Sequence, residues 1–336
     1  MVLVCGYYGF GNWGDEASLE AVVRAFGSDR CTVATADPLR SRHPHSVARY
    51  PSVQFGQALE KATSLVLGGG SLLQDATSLR SLVYYVSLIR AGQRKTKRVG
   101  LVLQGLGPFR RRISRAMVRW ALRDVGHLSV RDEASLALLK SIGVRQEAIL
   151  GSDATFALEM PSEQKTNIAI LSPRPWPATD PASAFTKLAV KMKADGLEPC
   201  LIAMQANEDL PLCRQIAQES GCAVLGPFET LQELLRAFAQ ASAVVAMRLH
   251  AGIFAAKAGT APLLIAYDPK VSALQSMLGL EGRLSMNGFA PDSLIDAWQA
   301  HWAQQTRLNE RLIVSAASAE QRALAALEKA KSFVGI

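Results

Sequence analysis

Short apolar runs alternate with helical patterns along most of this chain, and that alternation constrains the fold more than any other feature. The first half carries apolar runs at 2–7 (VLVCGY), 31–36 (CTVATA), 64–67 (SLVL), 98–103 (RVGLVL), 127–131 (HLSVR) and 148–150, with helical stretches such as 16–26 and 78–92 between them. Strands that alternate with helices build parallel sheets, because a parallel connection needs a crossover and a helix supplies it. A polar segment containing proline, 159–166 (EMPSEQKT), interrupts the pattern. It then restarts, with runs at 167–171, 199–203, 222–225, 243–247 and 262–266 and helices near 181–195, 209–220, 229–240 and 250–258. The chain has 336 residues, more than the roughly 250–300 over which a single core grows. The expected fold is therefore α/β, with two Rossmann-like doubly wound domains at 1–160 and 161–336. The tail from Pro291 to Phe333 is rich in Ala, Leu, Glu, Gln and Arg, so it is expected to be helical, with Asp292 as the N-cap.

Composition excludes several classes. No stretch approaches the ~18 consecutive apolar residues of a membrane span. The opening Met1-Val2-Leu3-Val4-Cys5-Gly6 has no basic leader and reads as a strand, which places the chain in the cytoplasm by expectation. Cys5, Cys31, Cys200, Cys213 and Cys222 are odd in number and lack Cys-x-x-Cys spacing, so reduced, mostly buried thiols are expected, and no metal site. The net charge is +8 and the pI about 9.4. That balance suits an anionic small molecule or an anionic membrane surface. No nucleic-acid module is visible.

Ligands of doubly wound sheets sit beyond the carboxyl ends of the strands, so the turns after strands carry the functional reading. After the first strand, Gly9, Gly11 and Gly14 match G-x-G-x-x-G, and Asp37 stands where a ribose-binding acid would. Asp15 and Glu16, however, occupy the helix end that a pyrophosphate needs, and carboxylates there already satisfy the dipole. The loop suits a neutral hydroxyl-rich partner, with Tyr7, Tyr8 and Trp13 to stack on a sugar and Asn12 and Asp15 to bond its hydroxyls. After the third strand, LGGGSLLQD (67–75) offers backbone N–H groups at Gly69 and Gly70. After the fifth, Arg131 is placed to reach a ligand. In the second half, Met247-Arg248-Leu249-His250 ends an apolar strand and opens a helix. Two cations at a helix N-terminus are locally unfavourable, a cost that an anionic ligand relieves. Lys270 and Arg174 follow neighbouring strands. The segment 109–123 reads as a helix with Ile113, Ala116, Met117, Trp120 and Ala121 on a packed face and Arg111, Arg112, Arg115, Arg119 and Arg123 on the other. That basic face is a candidate contact for anionic lipid.

Taken together, GYYGFGNWGDEA (6–17), LGGGSLLQD (67–75), QGLGP (104–108), SVRDEAS (129–135), LGSDATF (150–156), SPRPW (172–176), MRLHAG (247–252) and AYDPKV (266–271) resemble the polysaccharide pyruvyltransferase family. The resemblance is closest to its bacterial cell-wall branch, the CsaB-type enzymes. It implies two facing Rossmann-like domains similar to the GT-B architecture, with the acceptor on the N-terminal and phosphoenolpyruvate on the C-terminal domain. It also implies a pyruvate ketal formed on N-acetylmannosamine of a lipid-linked secondary cell-wall precursor, the polymer that anchors S-layer-homology domains. Phosphoenolpyruvate is then a co-substrate and no cofactor is required. The Arg-x-His motif assigns Arg248 and His250 to the donor anion, with Arg131 as third member. His250 is the expected acid, and Asp15 or Asp153 the base. The membrane contact would be peripheral, at the inner face of the plasma membrane. The rival expectations are a nucleotide-sugar glycosyltransferase, an NAD-dependent oxidoreductase resting on Gly9, Gly11, Gly14 and Asp37, and a non-catalytic sugar-binding protein.

Overall fold

The computed structural model describes residues 1–76, 78–95, 97–177, 179–280, 284–285 and 291–336. The chain divides into two compact units. The first comprises Met1–Phe10, Asp15–Leu158 and Ala319–Ile336, and the second Gly11–Gly14 and Glu159–Ser318. The break at Leu158/Glu159 falls at the edge of the polar 159–166 segment. The last residues, read from sequence as part of the second domain, pack with the first.

In the first unit the strands are β1 (Val2–Cys5), β2 (Cys31–Thr35), β3 (Ser46–Ala48), β4 (Ser64–Gly68), β5 (Arg98–Gln104), β6 (His127–Val130) and β7 (Ile149–Leu150). Its helices are α1 (Trp13–Phe26), α2 (Val53–Lys61), α3 (Leu79–Arg94), α4 (Arg112–Leu122) and α5 (Glu133–Ser141). All strand pairs are parallel, in the order β3-β2-β1-β4-β5-β6-β7. β1 and β4 are buried along their whole length, which is why they read as continuous apolar runs rather than alternating ones. One face of the sheet packs through Leu65, Leu67 and Leu101 onto Leu82, Tyr85 and Ile89 of α3 and Val118 and Leu122 of α4. The strand order reverses between β1 and β4, the switch point at which doubly wound sheets hold their ligands.

In the second unit the strands are β8 (Ile168–Ser172), β9 (Glu198–Leu201), β10 (Ala223–Val224), β11 (Ala243–Ala246), β12 (Leu263–Ala266) and β13 (Leu284–Ser285). Its helices are α6 (Pro181–Ala194), α7 (Ala206–Ser220), α8 (Leu231–Gln240), α9 (Leu249–Lys257), α10 (Pro269–Leu278) and α11 (Pro291–Trp302). The long α12 (Gln305–Val334) begins in this unit and passes into the first at Ala319. The order β10-β9-β8-β11-β12-β13 is again all parallel and reverses between β8 and β11. Asp292 is not an N-cap: it lies inside the first turn of α11, where Oδ1 accepts a hydrogen bond from Lys187 Nζ at 3.0 Å.

The α4 helix forms as expected with its faces redistributed. Ser114, Val118, Ala121 and Leu122 are buried, whereas Ile113 and Trp120 are exposed. Among the described residues no helix is long and apolar enough to cross a membrane.

Candidate active site

At the carboxyl edge of the first unit the glycine-rich loops are held by side chains. Gly9 has φ of 79°, as does Gly11 at 70° in the segment that belongs to the second unit, both in the left-handed region that favours glycine. Glu16 Oε1 accepts the Gly9 N–H at 2.7 Å. Burial raises the Glu16 carboxyl above its usual range, against the pull of that N–H. Asp37 caps the short helical turn Pro38–Arg40 by accepting the Arg40 N–H.

The loop after β4 is latched by Gln104. β5 carries a register irregularity between Leu101 and Gln104, and Leu103 sits at φ 51°. Bulges at a sheet edge re-aim side chains. Here the buried Gln104 amide donates to the carbonyls of Leu67 and Gly69, and its oxygen accepts the Leu72 N–H at 3.4 Å. Gly69 N–H donates to Val102 O at 2.9 Å, and Gly70 O accepts Gly105 N–H at 2.7 Å. Arg131 lies beneath, 6% exposed. Its guanidinium donates to Asp153 Oδ2 at 3.1 Å, to Ser71 Oγ at 2.8 Å and to Asp132 Oδ2 at 3.4 Å. Gly105 is required there, because a Cβ would fall 2.7 Å from Arg131 Nε and 2.8 Å from Cζ.

At the carboxyl edge of the second unit Arg248 is the hub. Its Nε donates to both Asp209 oxygens, at 3.2 and 3.0 Å, and Nη2 donates to Glu208 Oε2 at 2.8 Å. Asp209 is wholly buried and also accepts the Gln205 N–H at 2.9 Å. Burial drives the Asp209 carboxyl above its usual range, with Arg248 pulling the other way. Burial lowers the Arg248 guanidinium, and Asp209 more than reverses this. Arg174, after β8, donates from Nη1 to Tyr267 Oη at 2.9 Å and from Nη2 to the same Glu208 Oε2 at 3.4 Å. Trp176 packs on the Tyr267 ring at 4.9 Å between centroids. The Glu208 side chain is 44% exposed, so two guanidinium groups share one accessible carboxylate. His250 opens α9 with its ring against Gly14, where a Cβ would run into Nδ1. In the same unit, Asn12 bridges Gln205, Trp13 N–H donates to Met204 O at 2.9 Å, and Asn12 Oδ1 accepts Gly14 N–H at 3.0 Å.

Several expectations are corrected by this geometry. Tyr8 does not stack on a ligand: it is 2% exposed and its hydroxyl donates to Gly68 O. The Asn12 amide oxygen caps a backbone N–H, and the Gly69 N–H belongs to the sheet edge, so neither awaits a sugar or phosphate. Asp153 is not poised as a base. It pairs with Arg131 and caps the Ala154–Ala157 turn through Thr155 N–H and Oγ1. For the same reason Arg131 is not an open cation. Arg248 is likewise not open: a fixed partner, Asp209, and an accessible one, Glu208, hold it. Lys270 lies 3.8 Å from Asp268. The dinucleotide expectation fails on the N–H groups of Gly9, Trp13 and Gly14, each already bonded. Glu208 and Asp209 belong to no glycine-rich or Arg-x-His motif. Their signal in the sequence is a pair of acids in the first turn of the helix after β9, the same feature that marks Asp15 and Glu16. Among the described residues no cluster of His, Cys, Asp and Glu could hold a metal ion.

Comparison with known proteins gives a family and a fold. The family model described as polysaccharide pyruvyl transferase matches residues 12–269. A search of curated proteins finds no match. Among solved structures, the S. aureus MnaA–UDP co-structure is similar at TM-score 0.65 and 13% identity, over 98% of this chain and 94% of that one. UDP-GlcNAc 2-epimerase from Neisseria meningitidis bound to UDP-GlcNAc gives 0.57 and 10%, over 98% and 100%. Os79 from O. sativa in complex with UDP gives 0.60 and 11%, over 99% and 100%. At these identities the likeness concerns the fold, two Rossmann-like units of the GT-B kind with a C-terminal helix.

Proposed function

Because the chain belongs to the polysaccharide pyruvyl transferase family, we propose that it takes a pyruvyl group from phosphoenolpyruvate and sets it as a ketal on a sugar of a lipid-linked cell-wall polysaccharide precursor, releasing phosphate. N-acetylmannosamine is the sugar we assign, in line with the CsaB-type motifs. Pyruvylated product of that kind anchors S-layer proteins. No cofactor is assigned.

One observation carries the donor assignment: Arg248 and Arg174 converge on the half-exposed Glu208 Oε2. Two planar forks meeting at one oxyanion suit a ligand carboxylate or phosphate. In the resting protein Glu208 occupies that position. Counting Arg248 and Arg174 against Asp209 and Glu208, the cluster is neutral. When Glu208 swings out the site gains one net positive charge, and phosphoenolpyruvate replaces the displaced carboxylate. Asp209 stays, fixing the plane of the Arg248 guanidinium.

The reaction needs a proton on the methylene carbon and attack by a sugar hydroxyl on the adjacent carbon. Phosphate then leaves, and the second hydroxyl closes the ketal. Of the two hydroxyl protons, one balances the proton given to carbon and the other departs with phosphate. His250, beside the Arg248 fork in sequence and seated on Gly14, is assigned to deliver the carbon proton. Asp15, in the first turn of α1, is assigned to receive the hydroxyl proton.

The test is phosphate release from phosphoenolpyruvate with and without a ManNAc-containing lipid-linked acceptor. Release that depends on the acceptor, with a product heavier by one pyruvyl ketal, is the expected result. Absence of release, or a thermal shift with UDP but none with phosphoenolpyruvate, would overturn the donor assignment.

A further inference from the structure

The α4 helix presents a surface that neither the sheet nor the reaction explains. Its N-terminus is clamped by the buried Asp75, whose carboxylate accepts the Arg110 and Arg111 N–H groups at 2.6 and 3.0 Å and the Ser114 hydroxyl at 2.6 Å. The clamp fixes which faces of the helix look outward. One outward strip is apolar, with Ile113 58% and Trp120 44% exposed and Ala116 between them. The adjoining strip is Arg112, Arg115, Arg119 and Arg123, each exposed. Among the described residues neither Arg112, Arg115, Arg119 nor the nearby Arg145 takes part in an ion pair, while Arg123 lies 3.4 Å from its neighbour Asp124.

Beside these strips lies a concavity of about 490 Å³ between α4 and the loop after α5. Arg119, Arg123 and Arg145 line it together with Trp120, Gly143 and Gln146. Three guanidinium groups around a hollow hold a phosphate oxyanion by forked hydrogen bonds. Trp120 in its lining, with the exposed Ile113 two turns away along α4, suits a partner that is wet on one side and oily on the other. A soluble phosphate would leave that apolar strip in water. A folded acidic protein would meet arginines with few apolar contacts between them. An anionic bilayer matches both strips at once.

We propose that this face of α4 docks on an anionic phospholipid surface, with one lipid phosphate held in the hollow by Arg119, Arg123 and Arg145. Trp120 and Ile113 enter the boundary between headgroups and acyl chains. The docking belongs to the surface of the first unit and stands or falls apart from the reading of the reaction.

The test is co-sedimentation of the full chain with vesicles of phosphatidylcholine, alone or mixed with phosphatidylglycerol. Binding to the mixed vesicles only, released by raised salt, is expected. Replacing Arg119, Arg123 and Arg145 together by Gln should weaken it about 100-fold, at roughly 1 kcal/mol for each arginine near the surface. Ile113→Ser with Trp120→Ala should also weaken it. A control replaces Arg30, Arg214 and Arg307, exposed arginines on other elements, and should retain binding. The proposal is overturned if mixed vesicles are not bound, if the α4 variants bind as tightly as the parent, or if the control loses as much as they do. It is equally overturned if calorimetry shows inorganic phosphate binding that needs these arginines while vesicles do not bind.

Discussion

Arg248 and Glu208 show how a single carboxylate decides what an arginine is for. Asp209 is buried and shares two oxygens with the Arg248 fork, whereas Glu208 is accessible and shares one oxygen with two forks. Truncating Arg248 would strand the buried Asp209 charge at a cost of about 3–5 kcal/mol, so an inactive Arg248→Ala protein reports on folding as much as on binding. Glu208→Gln separates the two. The side chain is half exposed, so urea unfolding should be nearly unchanged. A neutral amide competes poorly for the two guanidinium groups, so the KM for phosphoenolpyruvate should fall about tenfold, the worth of one charge-assisted hydrogen bond at ~1.5 kcal/mol. A KM that rose would show that Glu208 helps to hold the donor rather than standing in its place.

At the scale of elements, Asp75 ties the loop after β4 to α4. Burial raises its carboxyl, but the Ser114 hydroxyl and the Arg110 and Arg111 N–H groups pull harder, so it lies below its ordinary value of 3.8. A carboxyl depressed in the folded state adds stability that is present above that value and is lost as pH falls through the folded one. Equilibrium unfolding should therefore weaken below about pH 4 in the parent, and Asp75→Asn should flatten that limb. At neutral pH the variant should be less stable by about 2–3 kcal/mol, since an amide nitrogen meets donors where the carboxylate had acceptors. An unchanged acid limb would remove the clamp from the account of α4. The same region marks the limits of sequence reading. The fully buried β1 and β4 were legible because both faces are covered, and α4 was legible as a helix. Its facing was not, because Ile113 and Trp120 look like core until Asp75, far away in sequence, sets the rotation. β3 went unseen because three half-buried residues carry no periodic signal. At the site, the glycine turns were found from composition. The partners of Arg131 and Arg248 come from other elements, and no local pattern announces them.

On the scale of the whole molecule, neither unit is a continuous piece of chain. The first takes Ala319–Ile336 from the end, and the second takes Gly11–Gly14 from near the beginning. The returning segment covers the first sheet closely. Ser152 Oγ donates to Ala319 O at 2.6 Å, Arg98 donates to Phe333 O at 3.2 Å, and a Cβ on Gly100 would meet the Phe333 ring at 2.9 Å. Phe333 also stacks on His127 at 5.7 Å between centroids. Burial, aided by Lys329, pushes the His127 imidazole down to about 4. A histidine depressed in the folded state adds stability above its unfolded value of about 6.5, lost as pH falls toward the folded one. Leu327 and Val334, both buried, each contribute roughly 1.5–3 kcal/mol and the half-buried Phe333 adds less, against the 5–15 kcal/mol that typically holds a domain together (about 0.1 per residue). Residues 1–158 alone should therefore lack most of their stability, and His127 in such a fragment should titrate near 6.5 by NMR. Fusing 319–336 back through a flexible linker should restore a cooperative melt and the depressed titration. If 1–158 melted at the temperature of the intact protein with His127 still depressed, the returning helix would be a passenger and the first unit a self-sufficient domain.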